Sequence, residues 1–337
     1  MRISETDPGG VQTADDSVAG LSESVALVQQ QCSEILDQLK TVNGRLSQLS
    51  ARESELRTVL EREAALEPHM DTLLKVLSKR DTAGEVTAAF ERAPLKLEPF
   101  PYAIVDDLLP ISLYRCLLRG IPPRDLFTSK APGKEHLSVP FTLAPAYCRR
   151  VWRFIGDVVV PQIITPRILE KFRGPIDEWI AGNWPGLAPD SVPLHGSGGR
   201  IMLRRPGYRI LPHRDPKWGF ITCILYLARP RESESWGTQL YAVDRDEAAK
   251  SAAPYWIDPQ QCRLVEDVAF RPNRLLIFLN STGAHGAHIP EDAQPPTLER
   301  CIYQFRVGPP TETITMLKAR LPEEQQPLWA GKALIDY

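Results

Sequence analysis

The chain has 337 residues, enough for one large domain or two smaller ones with a sizeable core. Lys plus Arg number 40 and Asp plus Glu 42, so the formal net charge of −2 lacks the basic excess of a general nucleic-acid binder. Hydrophobic residues at 43% and charged residues at 24% suit a globular chain and exclude wholesale disorder, and no apolar run of about 18 residues offers a membrane span.

Residues 1–20 read as a flexible tail rich in Gly, Ser, Thr and Asp. They lack the basic segment and apolar run of a secretory signal. The six cysteines form no CxxC pair, which argues against a zinc ribbon or a thioredoxin-like site and fits reduced thiols in the cytoplasm. From Leu21 apolar residues recur at alternating steps of four and three, through Val25, Val28, Cys32, Ile35, Leu39, Val42, Leu46 and Leu49 to Leu56 and Leu60, with Glu53 interrupting. A repeat of 3.5 held over more than five heptads predicts a coiled-coil helix across 21–80. The narrow stripe favours pairing with a second copy or a partner protein over packing on the chain's own core. Pro68 should kink or end it, with one more helical piece around Met70–Leu77. Residues 81–97 read as a linker, broken by Asp81, Gly84 and Pro94.

A globular domain is expected over 98–310, followed by a C-terminal extension at 311–337. Tyr102 to Pro110 reads as a strand running into a turn, and a helix follows from about Ser112 to Arg119. Ala144 to Trp184 suggests two helices split by Pro161 and Pro166. Beyond residue 198 the texture changes to short β-like runs: 200–203, 220–227, 239–243, 274–280 and 301–307. Many short strands with Gly/Pro turns and no helical periodicity between them predict an antiparallel sandwich or barrel.

Three of the six histidines fall in this strand region with informative neighbours. In an extended chain alternate residues share a face, so His213 and Asp215 converge while Arg214 points away. An imidazole and a carboxylate together suit a divalent first-row metal, and one further His would complete a two-His-one-carboxylate facial triad with open positions. His285 and His288 compete for that third place. They lie three apart and face opposite ways in a strand; His285, followed by Gly286, is the better candidate. Arg300 and Arg306 both sit on the last strand, on the same face.

The succession of His213-Arg-Asp215, an apolar strand, the short run Trp236-Gly-Thr-Gln-Leu240, an apolar strand leading to His285-Gly286, and Arg300 at a strand start resembles the Fe(II)- and 2-oxoglutarate-dependent dioxygenases, in particular their prolyl-4-hydroxylase-like branch. The resemblance covers 98–310 in order of elements and is close over about 198–308. It implies a double-stranded β-helix, the jelly-roll or cupin-like barrel, with flanking helices. It implies Fe(II) held by His213, Asp215 and His285, Arg300 in preference to Arg306 as the bidentate guanidinium partner of the distal carboxylate of 2-oxoglutarate, O2 as the other co-substrate, and ascorbate as a stimulant. The activity implied is hydroxylation of an unactivated C–H, in a peptidyl residue, an amino acid or another small molecule, with release of succinate and CO2. Two departures stand out. The segment between His285 and Arg300 is long, and Arg205 occupies the place before Pro206-Gly207 where that branch often has a Tyr on the co-substrate, so Arg205 or Arg204 is expected to substitute. Trp218, three residues after Asp215, is a candidate for stacking on the substrate. The competing readings are a coiled-coil scaffold with a non-catalytic barrel and a cupin-like metal enzyme that needs no 2-oxoglutarate.

Overall fold

The computed structural model describes residues 12–79, 81–131, 133–137, 144–215, 219–244, 255–280, 283–324 and 326. The chain divides into two compact units, Met1–Thr58 and Val59–Tyr337. The first is helical. Helix α1 runs from Gln12 to Leu66, so it begins within the stretch expected as a flexible tail; residues 1–11 lie outside the described residues. Spacings of three and four bring Gln30 onto Glu34, Lys40 onto Asp37 and Arg57 onto Glu53, pairs that favour the helical state of an exposed segment. The heptad residues Val28, Ile35, Leu39, Leu46 and Leu49 are half exposed or more. Pro68 ends the helix as expected, through a single 3-10 turn at Glu67–His69, and α2 (Met70–Leu77) follows.

The expected linker at 81–97 is instead largely helical. Helix α3 (Thr82–Arg92) buries Val86, Ala89 and Phe90 in the main core, and Gly84 is carried inside it. Apolar spacing outweighs the cost of one glycine, roughly 1 kcal/mol in a helix interior. Next come β1 (Leu95–Lys96), β2 (Tyr102–Val105), α4 (Ile111–Arg119) and the hairpin β3 (Phe127–Ala131) and β4 (Lys134–Leu137). Helix α5 (Ala146–Phe154) passes into a π-helical stretch, Ile155–Ile164, and then into α6 (Thr165–Lys171) and α7 (Arg173–Asn183). Pro161 therefore does not split this region. The wider π turn accommodates the residue that has no N–H to donate, and Pro166 occupies the first turn of α6, where a missing N–H costs nothing.

The remaining strands are β5 (His195–Arg204), β6 (Arg209–Arg214), β7 (Ile221–Tyr226), β8 (Thr238–Val243), β9 (Tyr255–Trp256), β10 (Cys262–Val268), β11 (Leu275–Leu279), β12 (His285–His288) and β13 (Arg300–Gly308). They form two antiparallel sheets, ordered β1-β2-β11-β7-β13-β5-β4-β3 and β10-β8-β12-β6-β9. Successive strands alternate between the sheets: β5 and β7 belong to the large one, β6 and β8 to the small one, β11 and β13 to the large, β12 to the small. With β10 beside β8 in the small sheet, β11, β7, β13 and β5 face β10, β8, β12 and β6, which is the double-stranded β-helix expected from the sequence. Helix α8 (Thr311–Ala319) closes the described chain and places Leu317 in the core.

Strand alternation separates two cores. On β7 all six residues are buried, because both faces are covered. Cys223 and Leu225, with Ile201, Leu203, Tyr303 and Phe305, meet the helices on the outer face of the large sheet. Ile224 and Tyr226, with Met202, Ile302, Leu276 and Phe278, fill the space between the sheets. No helix among the described residues is long and apolar enough to cross a membrane.

Candidate metal centre and cationic cavity

The metal-site candidates meet at the open end of the barrel. His213 stands one residue before the end of β6, Asp215 lies just beyond that strand, and His285 opens β12, directly opposite His213 in the β6–β12 ladder. One ligand atom from each residue lies within 4.8 Å of the others, and all three residues are buried. The two Nε2 atoms each stand 3.9 Å from a different oxygen of Asp215. Gly286 allows this approach: a Cβ there would come within 2.8 Å of the Ile210 carbonyl oxygen, so only glycine lets β12 lie so close to β6.

Each imidazole is held from behind. His213 Nδ1 lies 2.9 Å from the Leu211 carbonyl oxygen, and His285 Nδ1 3.1 Å from that of Gly283. A carbonyl only accepts, so each Nδ1 carries the proton and each Nε2 presents a lone pair towards Asp215, the tautomer a metal requires. Burial pushes His213 below its ordinary pKa. Burial and the neighbouring His213 ring push His285 down to about 3, and both rings are neutral ligands at neutral pH. Burial alone would raise the Asp215 pKa, but Arg306 (Nη2 to Oδ1, 3.2 Å), with the Thr222 hydroxyl (2.6 Å to Oδ2), outweighs it and holds the carboxylate ionised. Phe278 packs against His285 at 4.6 Å between ring centroids, and Trp256 against His213 at 5.3 Å. Two neutral imidazoles and one carboxylate, pre-set in tautomer and charge, fit a divalent first-row metal.

The triad opens on a cavity of about 370 Å³, within the range of small-molecule sites. Met202, Ile210 and Ile224 give it apolar walls, while Lys134, Arg200, Arg204, Arg209 and Arg306 supply five cations against the single carboxylate of Asp215. Arg204 comes from the end of β5, with its guanidinium over the Tyr208 ring at 5.1 Å and its Nε buried without a hydrogen-bond partner. Lys134 on β4 stands opposite Arg204 in the ladder. Burial, then Arg200 and Arg204, push its pKa down to about 8.

Other expected site residues stand elsewhere. Arg300 is fully buried and does not line this cavity. It pairs with Arg204 across the sheet and faces the barrel interior, but its guanidinium turns over the Phe270 ring at 4.6 Å and donates to the Ser233 carbonyl oxygen at 2.8 Å. Arg205 follows Arg204, so its side chain leaves by the opposite face and pairs with Glu135 at 2.7 Å. Arg306, the less favoured candidate on β13, is the one that reaches Asp215. His288 is exposed at the far end of β12. Trp218 lies outside the described residues. Lys134, Arg200, Arg209, Thr222 and Trp256 carry no motif of their own. Only the inward register of β4 and β5 marks Lys134 and Arg200, and Arg209 is exposed at the start of β6.

No family model and no curated protein matches the chain in sequence. Among solved structures it is similar to a prolyl hydroxylase from Trichoplax adhaerens, in complex with a peptide fragment of the hypoxia inducible factor oxygen degradation domain. The identity is 11%, with 74% of this chain and 93% of that one covered at a TM-score of 0.38. It is also similar to HygX from Streptomyces hygroscopicus with nickel and 2-oxoglutarate bound (11% identity, 67% and 87% covered, TM-score 0.37) and to a Pseudomonas putida prolyl-4-hydroxylase (15%, 67% and 99%, 0.33).

Proposed function

We propose that the chain is an Fe(II)- and 2-oxoglutarate-dependent oxygenase that hydroxylates an unactivated C–H, with succinate and CO2 as co-products. The observation that carries this reading is the buried triad: two imidazoles locked into the Nε2 ligand form beside one ionised carboxylate, opening on a cavity with a cationic wall. His213, Asp215 and His285 would hold Fe(II), which supplies the activation of O2 that no amino-acid side chain can provide.

The rest is the work of the chain. Three ligands on one side leave the cavity side open to co-substrate. Arg204, which lines the cavity and is steadied by the face of Tyr208, is assigned to the distal carboxylate of 2-oxoglutarate in place of Arg300, which keeps Nε and Nη1 without a hydrogen-bond partner but does not line the cavity. Thr222 and Arg306 fix the rotation of the Asp215 carboxylate. Met202, Ile210 and Ile224 keep water from the reacting face, and Trp256 covers the outer side of His213. Positioning of this kind is where such a site gains its rate, because the reacting groups are held before the reaction begins.

The test is succinate formation from 2-oxoglutarate with Fe(II) and ascorbate, comparing the chain with His213→Ala. Turnover that disappears in the variant supports the reading. Absence of turnover together with absence of metal-dependent 2-oxoglutarate binding overturns it and favours a scaffold, and O2 consumption without 2-oxoglutarate favours a different metal enzyme.

A further inference from the structure

The inner face of the large sheet carries like charges where a ladder ordinarily avoids them. Lys134 on β4, Arg204 on β5 and Arg300 on β13 are direct cross-strand neighbours, a row of three cations over three adjacent strands. Like charges directly opposite one another in a sheet repel. Arg300 is relieved by the aromatic face of Phe270, the Ser233 carbonyl and Glu232 at 3.7 Å. Arg204 and Lys134 have no ion-pair partner at contact distance among the described residues, although the Asp215 carboxylate acts on Lys134 from farther off. Nor has Arg209, which reaches the same cavity from β6. The low pKa of Lys134 reflects the same crowding, with Arg200 and Arg204 disfavouring its charge.

One 2-oxoglutarate does not balance this wall. Arg306 is set against Asp215 and Arg200 has a partner of its own, which leaves Lys134, Arg204 and Arg209; a divalent metal adds two charges, and the dicarboxylate removes two. With Arg204 committed to the co-substrate, Lys134 and Arg209 still face the cavity with nothing anionic to meet. Lys134 is half-buried in the cavity wall and Arg209 stands exposed at its mouth, so the two present one cation at depth and one at the rim, a field that draws in an anion and disfavours a cationic substrate. We propose that the substrate of this site is a small anionic molecule, bearing a phosphate or carboxylate group that Lys134 and Arg209 bind while 2-oxoglutarate occupies Arg204. This rests on the oxygenase reading above and adds the substrate class to it.

The experiment uses the full chain loaded with Mn(II), which replaces iron without turnover, under anaerobic conditions. Calorimetry first measures 2-oxoglutarate binding. At saturating 2-oxoglutarate it then measures glycerol 3-phosphate and malonate as the phosphate and carboxylate probes, with glycerol as the neutral control. The expected result is one further equivalent of a probe anion bound without displacing 2-oxoglutarate, no binding of glycerol, and affinity about tenfold weaker in both Lys134→Gln and Arg209→Gln. Retained 2-oxoglutarate affinity in these variants shows that they are folded. If 2-oxoglutarate binds but neither probe does, or the probes only displace it, or both variants bind them as the parent does, the anionic-substrate proposal fails and the oxygenase reading stands. If 2-oxoglutarate itself does not bind, the oxygenase reading fails, and the proposal built on it fails with it.

Discussion

Arg204→Gln and Arg300→Gln separate two assignments of the co-substrate anchor. A charge-assisted hydrogen bond to a carboxylate contributes roughly 1.5–3 kcal/mol, so loss of the Arg204 guanidinium should weaken 2-oxoglutarate binding roughly 10- to 150-fold. Fold stability should hold or rise slightly in the same variant. The lost cation belongs to the Lys134–Arg204–Arg300 row, where each direct like-charge pair costs roughly 0.2–1 kcal/mol. Arg300→Gln should do the reverse. It removes the bond to Ser233 and a desolvated cation over Phe270, the latter worth about 2 kcal/mol, and so lowers stability. It should leave 2-oxoglutarate affinity within about twofold, because no ligand bond is lost. The assay is calorimetric titration of 2-oxoglutarate into Mn(II)-loaded protein, with thermal unfolding of the metal-free chain alongside. A large loss of affinity in Arg300→Gln with none in Arg204→Gln would refute the assignment of Arg204 and return the anchor to the last strand.

Thr222→Val keeps the volume of the side chain but removes the hydroxyl that orients Asp215, and metal affinity should fall roughly 10- to 100-fold, read by competition with a chromogenic chelator. Acid should destabilise the metal-free protein through His285. Its imidazole titrates near 6.5 when unfolded and about 3 when folded, so its contribution is complete above pH 6.5 and is lost as pH falls through that value. At pH 5 the loss is about 2 kcal/mol relative to pH 7, and urea unfolding of His285→Gln should lack that part of the slope. The exposed heptad of α1 should pair two copies of the chain, so a Leu39→Asp and Leu46→Asp double variant should sediment as a monomer where the parent is a dimer, with the barrel's near-UV circular dichroism unchanged.

The barrel strands were readable because burial on both faces leaves continuous runs such as Ile221–Tyr226, and the Gly/Pro turns between them mark where each run stops. The triad was readable for a different reason. His213 and Asp215 are two apart on an extended chain, so their convergence follows from local geometry alone, and Gly286 signals the close strand pairing that brings His285 opposite. Helix α3 escaped notice because Asp81, Gly84 and Pro94 are breakers by propensity, while Val86, Ala89 and Phe90 are held by a core that only the tertiary fold supplies. Pro161 misled in the same way, since the π-helical turn that accommodates it has no mark in the sequence.

The basic wall of the cavity shows where sequence reading stops. Lys134, Arg204 and Arg300 are far apart along the chain, and nothing local distinguishes them from any surface cation. They become a row only because β4, β5 and β13 lie side by side, and Lys134 and Arg204 then line the cavity while Arg300 turns to Phe270 and Ser233. Motif order places an arginine on the correct strand face, but a guanidinium reaches several ångströms from its backbone and can point along the strand in either direction. The identity of a metal ligand is therefore set by backbone register, whereas the identity of a carboxylate anchor is set by which nearby aromatic or carbonyl group competes for its side chain. Arg204 sits over Tyr208 at the cavity and Arg300 over Phe270 away from it, and that difference in neighbours, not the order of residues along the chain, is what the Arg204→Gln and Arg300→Gln titrations test.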